Sequence, residues 1–356
     1  MDPRQIRESL PSSAEKIQLD GTFRTKYRGF AVFLICCALL LAAFAFSAVW
    51  MNRGGFDWFF SKNENVGTET GDGTDTGFET ESLPISEDGI PEELPTDATP
   101  IVSMDLSYPS LGTSYIHNET VYAPSVAELL SRPLTLPNNT DKPTVLILHT
   151  HTSESYLPKD TAYVTSPMGD LTYSRDPLQN MLAVGETLTR VLNEKGITAI
   201  HCTVMHDDPT LSGSYERMEE SVKKYLEIYP SIELVIDLHR DSVTTAGGEI
   251  VRSSAGISGE PTAQVMAVVG TDGNGTDFPH WEENLALALQ LRERLNQNGA
   301  AVCRPVSLRN ASFYQELAKH SLLLEIGTAA NSLEEAKRAA ILVGEALAEM
   351  IQSLQT

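Results

Sequence analysis

Basic residues are scarce in this chain, and over one long stretch they are missing. Lys and Arg number 26 against 48 Asp and Glu, for a net charge of −22 over 356 residues. So anionic a chain repels phosphate backbones, which argues against nucleic acid as a partner. Between Lys62 and Arg132 there is no Lys or Arg, while eleven acids fall between Glu64 and Asp97 among Gly, Thr, Ser and Pro. That composition buries too little apolar surface to offset chain entropy, so residues 52–100 are expected to form a disordered, self-repelling linker.

Cysteine is also rare. There are four, with no C-x-x-C spacing, which argues against a cysteine zinc site. Cys36 and Cys37 lie in an apolar run and read as filler. Cys202 and Cys303 could form one disulfide, but spacing does not place them together.

No internal repeat is present, and only one apolar run is long. Phe30 to Trp50 is interrupted by little more than Ser47. At ~1.5 Å per residue these 21 residues span roughly the ~30 Å core of a bilayer. Arg4, Arg7, Lys16, Arg24, Lys26 and Arg28 precede it. The excess of bases on that side predicts a cytoplasmic tail over 1–28, a membrane-spanning helix over 29–51 and an extracytoplasmic remainder. A cleavable signal ending near Ala43-Phe44-Ala45 is the rival reading; the long leader and long apolar run favour the anchor.

Residues 101–142 read as an extended wrap leading to a regular domain over 143–356. Strands are expected at Val145–His151, Ile197–Val204, Glu233–His239, Gln264–Gly270, Ala300–Val306 and Ser321–Gly327. Helices are expected at Pro177–Lys195 (Asp176 as N-cap), Ser214–Tyr229, His280–Asn298 and Ser332–Gln352. Strands alternating with helices predict an α/β fold with a mostly parallel sheet flanked by helices.

The chemistry-bearing residues collect at strand ends. Val145-Leu146-Ile147-Leu148 runs into His149-Thr150-His151-Thr152-Ser153-Glu154, and Leu234-Val235-Ile236 into Asp237-Leu238-His239. Leu322-Leu323-Leu324 ends in Glu325. In open α/β sheets the reactive crevice lies at the carboxyl ends of strands. Residues two apart share a strand face, so His149 and His151 stand equal, and Asp237 could support His239. Imidazoles with a carboxylate suit zinc in hydrolases, with a separate carboxylate as base. His117, His201, His206, His280 and His320 lack such context, although His206-Asp207-Asp208 is a minor candidate.

The His149–Tyr156 run, Asp237-Leu238-His239-Arg240-Asp241, the pair Trp281 and Asn284, and Leu324-Glu325-Ile326-Gly327 with Asn331 and Glu334-Glu335-Ala336 resemble the stage II sporulation protein P family. The resemblance covers about residues 100–350; Phe313-Tyr314-Gln315 departs from the family's pattern. It implies a zinc-dependent peptidoglycan hydrolase related to the N-acetylmuramoyl-L-alanine amidases, also associated with cleavage of peptide crosslinks. Carried over, it implies His151 and His239 as metal ligands and Glu325 as catalytic base. For the acidic ligand it favours Asp176, with Glu154 in reserve, and His149 is the reserve to His151 or a residue supporting the ligands. Arg175 and Arg240 are candidates to position stem-peptide carboxylates. The implied setting is the mother-cell membrane facing the forespore during engulfment, alongside sporulation proteins D and M. A non-catalytic wall-binding module of the same fold, or a metal-dependent esterase or deacetylase, are the competing readings.

Overall fold

The computed structural model describes residues 95–107, 115–135, 141–159, 161–297 and 301–353. The expected cytoplasmic tail, membrane helix and nearly all of the acidic linker lie outside them. Among the described residues no helix is long and apolar enough to cross a membrane. The chain divides into the units Met1–Val66 and Gly67–Thr356, and all described residues belong to the second.

Eleven strands and six α-helices are described, in the order β1 Thr99–Met104, β2 Ile116–Asn118, α1 Val126–Ser131, β3 Val145–Leu148, β4 Tyr163–Val164 and α2 Met168–Leu171. There follow α3 Met181–Glu194, β5 Ala199–His201, α4 Ser214–Ile228, β6 Leu234–Asp241, β7 Ile250–Ile257 and β8 Glu260–Ala263. The rest are β9 Val265–Gly270, α5 Trp281–Leu295, β10 Val306–Arg309, β11 His320–Thr328 and α6 Leu333–Ser353. Seven strands form one sheet in the order β2-β10-β9-β11-β6-β3-β5, and β4-β1-β7-β8 form a smaller one.

The alternation of buried side chains along β3 explains the layering. Val145 and Ile147 point into a core shared with α3, α5 and α6, while Leu146 and Leu148 point into a second core shared with Met218 and Val222 of α4. Helices therefore cover both faces of the large sheet, as an α/β fold requires of strands this apolar.

The expectation of a mostly parallel sheet is corrected: both sheets are mixed. β9 runs antiparallel to β11 in the large sheet, and β1 meets β4 and β7 meets β8 antiparallel in the small one. The physical reason is the β7–β8 hairpin, which turns tightly through Ser258 and Gly259 at φ 53° and 84°. The chain thus returns to the sheet through a hairpin rather than a helical crossover, which reverses the strand that follows.

The helix expected at Pro177–Lys195 begins at Met181. Asp176 Oδ1 accepts the amide of Leu178 in a local turn, and Asn180 is the residue whose side chain caps the helix, accepting from Leu182 N at 3.0 Å. α6 starts with a reciprocal capping box: Ser332 N donates to Glu335 Oε2 and Glu335 N to Ser332 Oγ. The strand expected at Ala300–Val306 is replaced by a single bridge from Cys303 to Val265, with β10 beginning at Val306. Cys202 and Cys303 are both free and buried, in different apolar clusters.

Candidate functional site

Three neighbouring strands bring the strand-end residues together. β6 lies between β3 and β11, with Leu148 in register with Asp237 and His239 in register with Glu325. The chain leaves β3 in a tight turn in which Glu154 N donates to His151 O. Glu154 then bridges Tyr173, and its carbonyl accepts the first amide of α3, Met181 N. Its side chain is thereby carried back over the end of β6.

The resulting cluster is buried. His151, Glu154, Asp237, His239 and Glu325 are each less than a tenth exposed. His239 stands between two carboxylates, with Nδ1 3.6 Å from Glu154 Oε2 and Nε2 3.0 Å from Asp237 Oδ2. The second contact is short but poorly aligned, and Nε2 has no hydrogen-bond partner. Asp237 is itself fixed by Thr150, accepting from its amide at 2.8 Å and its hydroxyl at 2.6 Å. The His151 ring meets that of His239 edge-on at 5.2 Å between centroids, and Ser214 Oγ lies 3.3 Å from His151 Nδ1.

Charge is distributed unevenly over these groups. Burial alone would raise Glu154, but Arg240, then His239 and His151, outweigh it and hold the carboxyl down at about 2. Burial likewise opposes charge on His239, yet Asp237 and Glu154 raise it well above the usual histidine range. Burial lowers His151, with Glu154 pulling the other way. Glu325 is the exception among the carboxylates. Burial raises it to about 8, against the pull of His239, with Asp241 and Glu154 adding to the rise. Its Oε2 has no partner. An acid with one bare oxygen in register with the His239 imidazole is poised to take or give a proton.

Arg240 is committed to holding this arrangement. Its amide donates to Glu154 Oε2 at 3.2 Å, Nε to Ser155 O and Nη2 to Thr172 O. The guanidinium also covers the Tyr173 ring at 5.0 Å. It is a buried brace, whereas Arg175 is exposed and pairs with Asp208.

Asp176, the favoured acidic ligand from resemblance, is not brought to the histidines. It is exposed, and its two oxygens accept from Leu178 N and Gln179 Nε2 in its own turn. Of the two candidates for the acidic ligand, Glu154 is the one that stands beside His239. The tie between His149 and His151 is also resolved in space. His149 is fully buried, and Nδ1 donates to Leu238 O at 3.1 Å. Burial lowers its pKa to about 3, so the ring is neutral and Nε2 must accept; His201 Nε2 donates to it at 2.8 Å. His206 Nδ1 donates to His149 O. These three histidines form a structural chain behind the site.

Gly185 of α3 leaves the space for that chain. A Cβ there would lie 2.5 Å from the Nε2 of both His149 and His201. Gly185→Ala is expected to destabilise the domain by about 1–3 kcal/mol through overpacking. Thermal unfolding should register this as a fall in Tm of roughly 3–10 °C; an unchanged Tm would mean the imidazole pair is loosely held.

Among the described residues no three His, Cys, Asp or Glu side chains converge as they stand into a group that could hold a metal ion. In kind, though, the donors fit zinc: two imidazoles and one ionised carboxylate, with His239 Nδ1 facing Glu154 and Nε2 turned to Asp237. Asp237 behind His239, itself held by Thr150, is the carboxylate–histidine support that ligating imidazoles use.

Sequence reasoning missed the contacts made by Ser214, Tyr215 and Asp207. Asp207 Oδ2 accepts the Ser153 amide at 2.9 Å and steadies the turn after His151. Tyr215 meets the His151 ring at 5.6 Å. Tyr215 carries no motif, and Asp207 stood only within the minor candidate His206-Asp207-Asp208; they reach the site from a distant helix and loop. Other family-like residues turn out to be supports. Asn284 Oδ1 accepts the amide of Ser321, and Asn331 bridges Thr328 N and Ser253 O below Glu325.

The profile of the family described as Stage II sporulation protein P matches residues 85–352. The stage II sporulation protein P of Bacillus subtilis (strain 168) is 29% identical over 221 residues, covering 59% of this chain and 51% of that protein. The chain thus spans about half the length of this curated relative. Solved structures with some likeness include the N-acetylmuramoyl-L-alanine amidase AmiC2 of Nostoc punctiforme (17% identity, TM-score 0.34, 61% of this chain and 99% of that one). Another is the N-acetylmuramoyl-L-alanine amidase of Clostridium difficile 630 (13% identity, TM-score 0.35, 60% and 97%). These structural likenesses are low, and the α/β architecture stands on the strand order itself.

Proposed function

Because this chain belongs to the stage II sporulation protein P family, we propose that it hydrolyses peptidoglycan at the amide joining muramic acid to L-alanine. The family resemblance supplies the substrate class. The site supports the reaction class, and one observation carries it: Glu325, buried and with a bare oxygen, sits in register with His239, whose ring meets that of His151 and faces Glu154.

His151, His239 and Glu154 are the residues that would hold zinc. Bound there, the metal would supply Lewis-acid polarisation of the scissile carbonyl and acidification of a water. Glu325 takes the proton from that attacking water at its bare Oε2 and returns it to the departing nitrogen. Its raised pKa suits both halves of the transfer near neutrality. Asp237 keeps the His239 ring oriented. Arg240 keeps Glu154 ionised and pins its carboxylate. Burial of the cluster excludes bulk water and strengthens each of these interactions.

The apolar run at 29–51 and the acidic linker support a single-pass anchor with the domain facing the wall, where sporulation proteins D and M would be partners. The deciding experiment treats purified sacculi with the full-length protein, with and without zinc or a chelator, and analyses products by mass spectrometry. Metal-dependent release of stem peptides with a free L-alanine amino terminus is expected. Stoichiometric glycan binding with no release would leave a wall-binding module instead.

A further inference from the structure

The loop before β11 is held in a conformation that its residues disfavour. Phe313 and Tyr314 are consecutive, neither is glycine, and both lie in the left-handed region at φ 52° and 57°. The fold enforces this from below. Gln315 is buried, its Oε1 accepting Gly270 N and its Nε2 donating to Val268 O, each at 2.9 Å. It pairs with the β9 backbone as a neighbouring strand would. Gly270 admits the loop at close range, since a Cβ there would lie 2.2 Å from Ala311 O.

What this conformation delivers is a pair of rings. Tyr215, in the first turn of α4, stacks on Tyr314 at 6.0 Å with planes 19° apart and meets Phe313 at 6.4 Å. The same Tyr215 touches His151 edge-on. The three rings therefore run outward from the candidate metal ligand, and all three are only half-buried. The rings rest on apolar clusters, Tyr215 and Tyr314 on that of Leu148 and Met218 and Phe313 on that of Met266 and Leu323, yet each keeps an exposed part; backbone strain of this kind concentrates where a ligand is gripped.

The charges around the rings narrow the ligand. Partial burial raises the Tyr314 hydroxyl, and Glu216, Glu219 and Glu316 add to the rise. The nearby Lys223 is taken up by Glu219 at 2.6 Å. This surrounding disfavours the carboxylates of a stem peptide and leaves an uncharged, flat, partly apolar ligand as the best match.

We propose that Tyr215, Phe313 and Tyr314 form a sugar subsite that seats the N-acetylated pyranose next to the scissile amide. The face of a pyranose ring presents C–H groups to an aromatic plane while its hydroxyls remain hydrated, which suits amphipathic tyrosines. The lactyl carboxyl of the muramic residue is consumed in the amide, so it brings no charge. This subsite rests on the hydrolase reading above, but its test does not require hydrolysis.

The test measures binding of glycan strands whose lactyl carboxyls are capped as simple amides, so that they carry no charge, and, separately, of a free stem peptide to the full-length protein by calorimetry. Phe313→Gly relieves the left-handed backbone but gives up the ring and its packing on Met266, Val268 and Leu323, so in the folded variant, checked by its Tm, strand affinity should fall about ten-fold. Tyr314→Ala should weaken strand binding similarly, and Tyr314→Phe, which keeps the stacking face, should restore it. Stem-peptide affinity should be the same in all four proteins. Wild-type protein that does not bind the strands, ringless variants that bind them unchanged, or variants that lose the peptide instead would each overturn the subsite. Ring-dependent strand binding without any product from sacculi would sustain the subsite and refute the hydrolase.

Discussion

Glu325→Gln is expected to abolish hydrolysis and, in the metal-free protein, to increase stability above about pH 6. The two effects share one cause. Burial lifts the Glu325 carboxyl from 4.5 to about 8, so the folded state holds its proton more tightly than the unfolded chain. Between these values the folded protein binds more protons, and stability falls as pH rises through the window. A shift of that size corresponds to on the order of 3–5 kcal/mol lost by pH 8. Glutamine keeps the shape and carries no titrating proton, so the Glu325 contribution to this decline disappears. Thermal unfolding of both proteins in chelator from pH 5 to pH 9 measures it. Curves of identical pH dependence would show that Glu325 is not buried as an acid. Release of stem peptides by the variant should drop by about 10²–10⁴, the usual worth of a general base; undiminished release would remove Glu325 from that role.

Glu154→Gln and Asp176→Asn are expected to separate two carboxylates that resemblance alone could not. Glu154 lies against both His239 and Arg240. Neutralising it leaves two buried cations without their shared anion, a change worth about 3–5 kcal/mol. Zinc content should fall from stoichiometric to near zero. Asp176 is exposed and bonded only within its own turn, so Asp176→Asn should change stability by no more than about 0.5 kcal/mol and leave zinc content intact. Metal analysis of the two purified variants, with denaturant unfolding, decides between them. A zinc-depleted Asp176→Asn protein would reinstate the reading by resemblance.

Glu154 was hidden for a physical reason. The two carboxylates differ only in what folds over them, and that is decided by Arg240 and by the bridges from Glu154 to Tyr173 and Ser155 to Asn180. The N-cap was misplaced for a related reason. Asp176 and Asn180 are equally good capping types, and the one chosen is the buried residue, whose Nδ2 also holds Ser174 O. Where the chain is strongly apolar the sequence was easier to read: β3, β6 and β11 appear within one to three residues of their expected ends, with their polar termini where the site forms. Strand direction was not legible. The run Val265–Gly270 is buried throughout and looks the same read either way, so nothing in it announces the antiparallel pairing with β11. The Ser258-Gly259 turn was the available clue, a two-residue connection between strands of unlike pattern.

The short strand β1 has a mechanical meaning. It lies parallel to β7 over four registered positions, Ile101 to Met104, and its first residues also pair with β4. A chain pulled from its amino-terminal side along the axis of β1 loads these hydrogen bonds together in shear, where they share the force, instead of peeling one by one. Beyond it, β2 is laid along β10 in the large sheet, so β3, β6 and β11 are reached only after two separate clasps have given way. On the proposed reading, a domain held by its leading end while acting on a load-bearing wall would keep His239 in register with Glu325, and His151 against His239, under that tension.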